Sequence, residues 1–158
     1  MFLNFSSWVA YGYLLPDLLI FGQNAVGVIV TSWILLRYEG SGNRSVLGVL
    51  VVIGLISIPS VLLIENDVYL NLVGRLSLGL SILMFAAPLS TARQVILERN
   101  SQGKLDTALS AVMLASCSVW LYYGTLTENS NIMVPNGIGV ILAFFQIVLI
   151  WYFPPTVV

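Results

Sequence analysis

The sequence predicts an all-α integral membrane protein in which one structural unit is used twice in the same orientation. Two observations carry that reading. The chain is 58% hydrophobic and 8% charged, with a mean hydropathy of +0.96, whereas a soluble domain carries about 25% charged residues. In addition, Trp8-Val9-Ala10-Tyr11-Gly12 followed by Asn24-Ala25-Val26-Gly27 recurs as Trp120-Leu121-Tyr122-Tyr123-Gly124 followed by Asn136-Gly137-Ile138-Gly139, each position 112 residues on. Leu14/Leu126, Ile20/Ile132 and Val28/Val140 match at the same offset. A pattern of that length held at one fixed spacing means one unit used twice, and its polar member in apolar surroundings marks where function is to be sought.

A membrane helix needs about 20 mostly apolar residues. Five runs meet that requirement: 18–36, 46–64, 69–91, 105–126 and 131–153. A sixth, residues 1–15, ends at Pro16-Asp17; at about 1.5 Å per residue it reaches about 22 Å of a hydrocarbon core about 30 Å thick. The beginning of that helix is therefore expected to be absent from the chain. Met1-Phe2-Leu3-Asn4 has no basic region and no small-residue cleavage site, so it does not read as a signal peptide. Each copy of the pattern covers the end of one helix, a turn and the first half of the next. An extra helix must restore the orientation between the copies, and 46–64, with Pro59 as a tolerated kink, is the natural linker.

Charge then orients the chain. The loops holding Arg37, Arg44, Arg93, Arg99 and Lys104 carry five of the six basic residues, while the opposite loops hold Asp17, Glu65, Asp67 and Glu128. The positive-inside rule makes the first side, with both chain ends, cytoplasmic. Arg75 lies inside a run and reads as a side chain snorkelling to the outer boundary. A net charge of -1 gives no ground for a nucleic-acid partner. The one cysteine, Cys117, reads as core packing, and with no histidine there is neither an imidazole metal ligand nor a histidine proton relay.

On this topology Trp8 is nine residues before the turn at Asp17 and Asn24 seven after it, roughly 13 and 10 Å below the outer boundary. The same counting puts Trp120 and Asn136 at a matching level in the other copy. Parallel repeats bind substrate at their interface near the midplane. An amide offers donors and an acceptor to hydroxyls, and an indole face packs on C–H surface; sugars present both. The competing reading is an asparagine that hydrogen-bonds a neighbouring helix and holds the bundle together. No Asp, Glu, Lys or His sits centrally in any run, which favours facilitated diffusion over proton coupling. No nucleophile with its base, metal cluster or phosphate loop is present, so neither an enzyme nor a cofactor is indicated, and Gly12, Gly27, Gly124 and Gly139 read as close helix contacts.

Trp-x-x-Tyr-Gly, the downstream Asn-x-x-Gly, the pair Pro135-Asn136 and the segment Ala87-Pro88-Leu89-Ser90-Thr91-Ala92-Arg93-Gln94-Val95-Ile96 closely resemble the SWEET (MtN3/saliva) sugar transporters over residues 6–153. The resemblance implies two parallel three-helix bundles joined by a linker helix. Here that means an incomplete first repeat over 1–37, the linker at 46–64, a complete second repeat over 69–153 and a short tail at 154–158. It also implies uncoupled, bidirectional movement of mono- or disaccharides across a cell membrane by alternating access, with glucose- or sucrose-like substrates. Asn24 and Asn136 would bind the sugar between Trp8 and Trp120. Tyr11 and Asp17 would form an outer gate, with Tyr123 and Asn129 its second copy, neutral at Asn129 unless Glu128 substitutes. Pro88 would be a hinge, with Asp106 at the position of its second-repeat partner.

Against the family pattern, the first helix and part of the second are absent, which would leave Trp8 and Asn24 facing lipid or an empty groove. Two expectations follow: the chain is a fragment of a longer transporter, or it fills the gap as a homo- or hetero-oligomer. A truncated, non-transporting subunit of full-length homologues, or a receptor-like relative, is the alternative function. Carriers of amino or organic acids are a third, weakened because no cation lies at the pocket to meet a carboxylate.

Overall fold

The computed structural model describes residues 1–38 and 66–155. They form α1 (Phe2–Leu14), α2 (Leu18–Tyr38), α3 (Asn66–Met84), α4 (Ala86–Glu98), α5 (Thr107–Leu126) and α6 (Ser130–Tyr152). The expected linker, 46–64, lies outside the described residues. Among those described, four helical stretches are long and apolar enough to cross a membrane: Leu18–Leu35, Asp67–Glu98, Thr107–Leu126 and Ser130–Tyr152. Most of their large apolar side chains are exposed, Leu18, Leu109, Ile141 and Trp151 among them, which suits helices whose surroundings are lipid rather than water. The protein is a multi-pass membrane protein.

The chain divides into two compact units, Met1–Leu80 and Ser81–Val158. In the first, α1 and α2 make a hairpin; in the second, α5 and α6 make its counterpart. Asp17 caps α2, its Oδ1 accepting the Leu19 and Ile20 N–H groups at 2.9 and 3.0 Å. Asn129 caps α6 by accepting from Asn131 N–H at 3.1 Å. Asp106 caps α5 by accepting from Leu109 N–H at 2.9 Å. A short polar side chain at each entry satisfies amides that the helix leaves unpaired.

The apolar run at 69–91 differs from expectation in two ways. It is broken at Phe85, where the Phe85 N–H donates to Ile82 O at 3.0 Å, a 3₁₀ bond. Pro88, three residues on, has no N–H to give to Met84 O, so the helical ladder has a gap at this point. The helix also outlasts the apolar run, continuing past Arg93 to Glu98 and ending in a left-handed Arg99, φ 50°. A helix leaving the bilayer keeps its hydrogen bonds while changing its side chains, so composition marks the membrane boundary and not the helix end.

In the second unit α4 is fastened to α6. Ala92 and Val95 of α4 meet Leu149 of α6, with Leu105 and Phe153 packed against them. The Ser101 N–H donates to Phe153 O at 3.2 Å. Ser110 Oγ lies 2.8 Å from Asp106 O and 3.2 Å from Gln146 Oε1, which ties α5 to α6 through two buried polar groups. The Lys104–Glu98 ion pair, 2.8 Å long, is partly exposed and contributes little beyond orientation.

Candidate functional site

The two copies of the repeat close their turns with the same pair of backbone bonds. At the first turn Leu15 N–H donates to Tyr11 O at 2.9 Å and Asp17 N–H to Gly12 O at 2.8 Å; at the second, Thr127 N–H donates to Tyr123 O at 3.0 Å and Asn129 N–H to Gly124 O at 2.9 Å. The second bond of each pair is the long-range bond of a Schellman closure, with a left-handed residue at its corner. Pro16 and Glu128 occupy that corner, at φ 25° and 52°. Glu128 N–H adds a bond to Thr125 O at 3.3 Å; proline has no such donor, and its ring resists positive φ.

The reversal brings the helices into backbone contact at one glycine in each copy. A Cβ on Gly12 would stand 2.5 Å from Phe21 N, and one on Gly124 would stand 3.0 Å from Met133 N. A second glycine in each copy accepts a side chain: Phe5 lies over Gly27 and the Cys117 sulfur over Gly139, each 2.5 Å from where a Cβ would be. The four glycines expected to be close contacts are close contacts. Cys117, expected as core packing, does pack here, and Phe5, which the sequence does not mark, stands one repeat before it. They are chemically unlike, and only the shared glycine beneath them shows that they have one job.

On this frame the aromatic and amide residues take fixed places. Trp8 stands edge-on to Tyr11 with ring centroids 5.5 Å apart, and Trp120 to Tyr123 at 5.5 Å, the interplanar angles being 85° and 81°. Asn24 Nδ2 donates to Ile20 O at 2.7 Å, and Asn136 Nδ2 to Ile132 O at 2.8 Å. Both acceptors belong to the asparagine's own helix, one turn back, so neither bond holds one helix to another. Each uses one N–H of the carboxamide and sets its plane, leaving the oxygen and second N–H as hydrogen-bonding capacity.

Trp8, Tyr11, Asp17 and Asn24 belong to the first unit, and Pro88, Trp120, Tyr123, Asn129 and Asn136 to the second, so each half-site is a property of its own unit. Trp8 and Asn24 are both 8% exposed, while Trp120 and Asn136 are half-buried. The expectation that the first pair lies open is not met, because α1, though only 13 residues long, packs backbone to backbone on α2.

Asp17 and Asn129, expected as gate residues, both serve as helix caps. Replacing Asp17 by Asn, the residue that caps the other copy, is expected to change stability by no more than about 0.5 kcal/mol, the loss of a charge–dipole term. Asp17→Ala, which removes the acceptor, should cost about 1 kcal/mol. Thermal unfolding of the detergent-solubilised protein checks this; equal losses in the two variants would show that charge, not capping, matters there.

Comparison with known proteins agrees with this geometry. Residues 71–157, more than half of the chain, match the MtN3_slv family, described as "Sugar efflux transporter for intercellular exchange". The chain is 26% identical to Sugar transporter SWEET1 of Dictyostelium discoideum, an alignment covering 98% of this chain and 75% of that protein. It is 29% identical to Sugar transporter SWEET1 of Drosophila pseudoobscura pseudoobscura over 98% of this chain and 71% of that protein. Bidirectional sugar transporter SWEET2a of Sorghum bicolor is 38% identical over 66% of this chain and 43% of its own length. A solved eukaryotic SWEET transporter superposes with a TM-score of 0.78 at 25% identity, covering 96% of this chain and 77% of that one. With a family match over more than half its length and that triple-helix-bundle fold over nearly all of it, the chain belongs to the SWEET (MtN3/saliva) family.

Proposed function

We propose that the chain moves mono- or disaccharides across a membrane by facilitated, uncoupled and bidirectional transport. The observation that carries this reading is the twinned half-site: an indole edge-on to a tyrosine, and across the turn an amide held by its own helix with donor and acceptor to spare. Hydroxyls pair with amides, and the C–H faces of a sugar ring lie on indoles. The indole, tyrosine and amide of each half-site include no carboxylate, lysine or histidine, so these residues offer a neutral ligand hydrogen bonds and no proton relay. The relatives bear sugar-transporter names, which supports the same substrate class.

In this reading Asn24, Asn136, Trp8 and Trp120 bind the sugar, and the Tyr11 and Tyr123 turns close the outer end. The gap in the ladder ahead of Pro88 lets the helix bend as access alternates. The basic loops favour a cytoplasmic C-terminal end, and the plasma membrane is the proposed location. The test is purified protein in liposomes with radiolabelled glucose and, separately, sucrose. One of the two sugars should equilibrate without any ion gradient, exchange in counterflow and ignore a protonophore. Uptake that needs a pH gradient, or none of either sugar, would refute the proposal.

A further inference from the structure

Arg75 is a charge that neither the fold nor the transport reading uses. It is exposed on α3, and among the described residues it has neither an ion pair nor a hydrogen bond. The buried side of α3 is the stripe Tyr69, Val73 and Ser77, at 7%, 6% and 0% exposure. Arg75 lies two residues from Val73 and two from Ser77, about 200° round the helix. Its neighbours on the opposite face are the exposed Asn71, Leu72 and Leu76, and Gly79, around whose Cβ position there is nothing within 4 Å. That face is exposed, as a lipid-facing surface would be.

Depth fixes which part of the lipid. The helical stretch Asp67–Glu98 is 32 residues long, about 48 Å of contour against a hydrocarbon core of about 30 Å. If the excess is shared between its ends, about 9 Å overhangs at each, and Arg75, eight residues after Asp67, starts about 3 Å inside the boundary. An arginine stem covers that by snorkelling. Arg93, also exposed, follows after about 27 Å of contour, with no charged residue between the two. In the sequence the two arginines bracket an uncharged run, and Arg75 stands at its end nearer Asn66.

A guanidinium at that level is a planar fork of donors matched to a phosphate. One turn nearer the boundary, Asn71 Nδ2 donates to Asp67 O at 2.9 Å, leaving its second N–H for another phosphate oxygen. Two turns nearer is Asp67, an exposed carboxylate on the same stripe. Going outward, the order is cation, amide, anion; a phosphoethanolamine headgroup, with phosphate below and ammonium above, has the complementary order. We propose that α3 binds a phosphatidylethanolamine molecule, phosphate on Arg75 and Asn71, ammonium at Asp67, with an acyl chain along Leu76 and over Gly79.

The experiment is native mass spectrometry of the whole chain in detergent with dioleoyl phosphatidylethanolamine, dioleoyl phosphatidylglycerol or a phosphate-free monogalactosyl diacylglycerol. Wild type should retain the ethanolamine lipid best and the galactolipid least. Arg75→Gln should retain at least fivefold less of both phospholipids while its lipid-free melting temperature stays put, and Arg75→Lys should fall between. Asp67→Asn should erase the preference for ethanolamine over glycerol. Undiminished retention in Arg75→Gln, equal retention of the galactolipid, or an Arg75→Gln change that splits a dimer without shedding lipid would overturn the proposal.

Discussion

Replacing Gly12 by alanine is expected to lower stability by about 3 kcal/mol, the upper end of what one methyl group costs in a packed interior. The added Cβ would stand 2.5 Å from Phe21 N, 2.9 Å from Phe21 Cα and 3.1 Å from Ile20 C, all backbone atoms. No rotamer relieves that contact; α2 must move off α1, and the turn that fixes Asp17 moves with it. In a chain of this size the loss corresponds to a fall in melting temperature of about 6–12 °C. The same change at Gly124 should cost less, about 1–2 kcal/mol, because its nearest atoms lie at 3.0–3.1 Å and include the Met133 and Ile132 side chains. Gly27→Ala should be milder than Gly12→Ala, since only the Phe5 ring stands in the way. At Gly22 and Gly79 there is nothing within 4 Å, so alanine should stabilise each by about 0.5–1 kcal/mol through reduced backbone freedom. Thermal unfolding of the five variants, followed by tryptophan fluorescence in detergent, gives the order. If Gly12→Ala melts with Gly22→Ala, the backbone contact is not what holds the hairpin.

That contact also shows what could be read from the amino-acid sequence. Both hairpins were legible because their key positions tolerate so little: a glycine where backbones touch, an asparagine a fixed distance beyond the turn, a tryptophan one turn before the tyrosine. Such positions keep their identity between copies, and the constant offset exposes them. Positions that need only to fill a space leave no such mark, as Phe5 and Cys117 show. Ser110 and Gln146 escaped notice for a different reason. They are 36 residues apart and meet only once α5 and α6 pack, so no sequence spacing joins one to the other. The break at Phe85 was half legible: Pro88 signals a missing donor, but the place where the helix opens is set three residues earlier. The burial of Trp8 and Asn24 is not legible in the sequence, because a count of helices cannot show how closely two of them approach.

The asparagines supply the second large effect, and it separates two accounts of the same side chain. Asn24→Ala and Asn136→Ala should each raise the half-saturating sugar concentration by about 10- to 100-fold in liposomes, since a ligand hydroxyl left without its partner costs about 1–3 kcal/mol. The double variant should transport at background. Stability should barely move, because each Nδ2 donates to a carbonyl of its own helix, one that the helical ladder also engages. If the asparagines instead hold the bundle together, each alanine variant should lose the roughly 0.6 kcal/mol of a typical interhelical polar contact, and transport should fall only with the folded fraction. Asn→Asp sharpens the comparison. A carboxylate cannot donate to Ile20 O or Ile132 O, so it must turn away from that acceptor and carry its charge into an apolar span. Asn24→Asp and Asn136→Asp are therefore expected to lose more transport than the alanine variants. Sugar flux that survives the double alanine change at near wild-type half-saturation would remove both asparagines from the binding site.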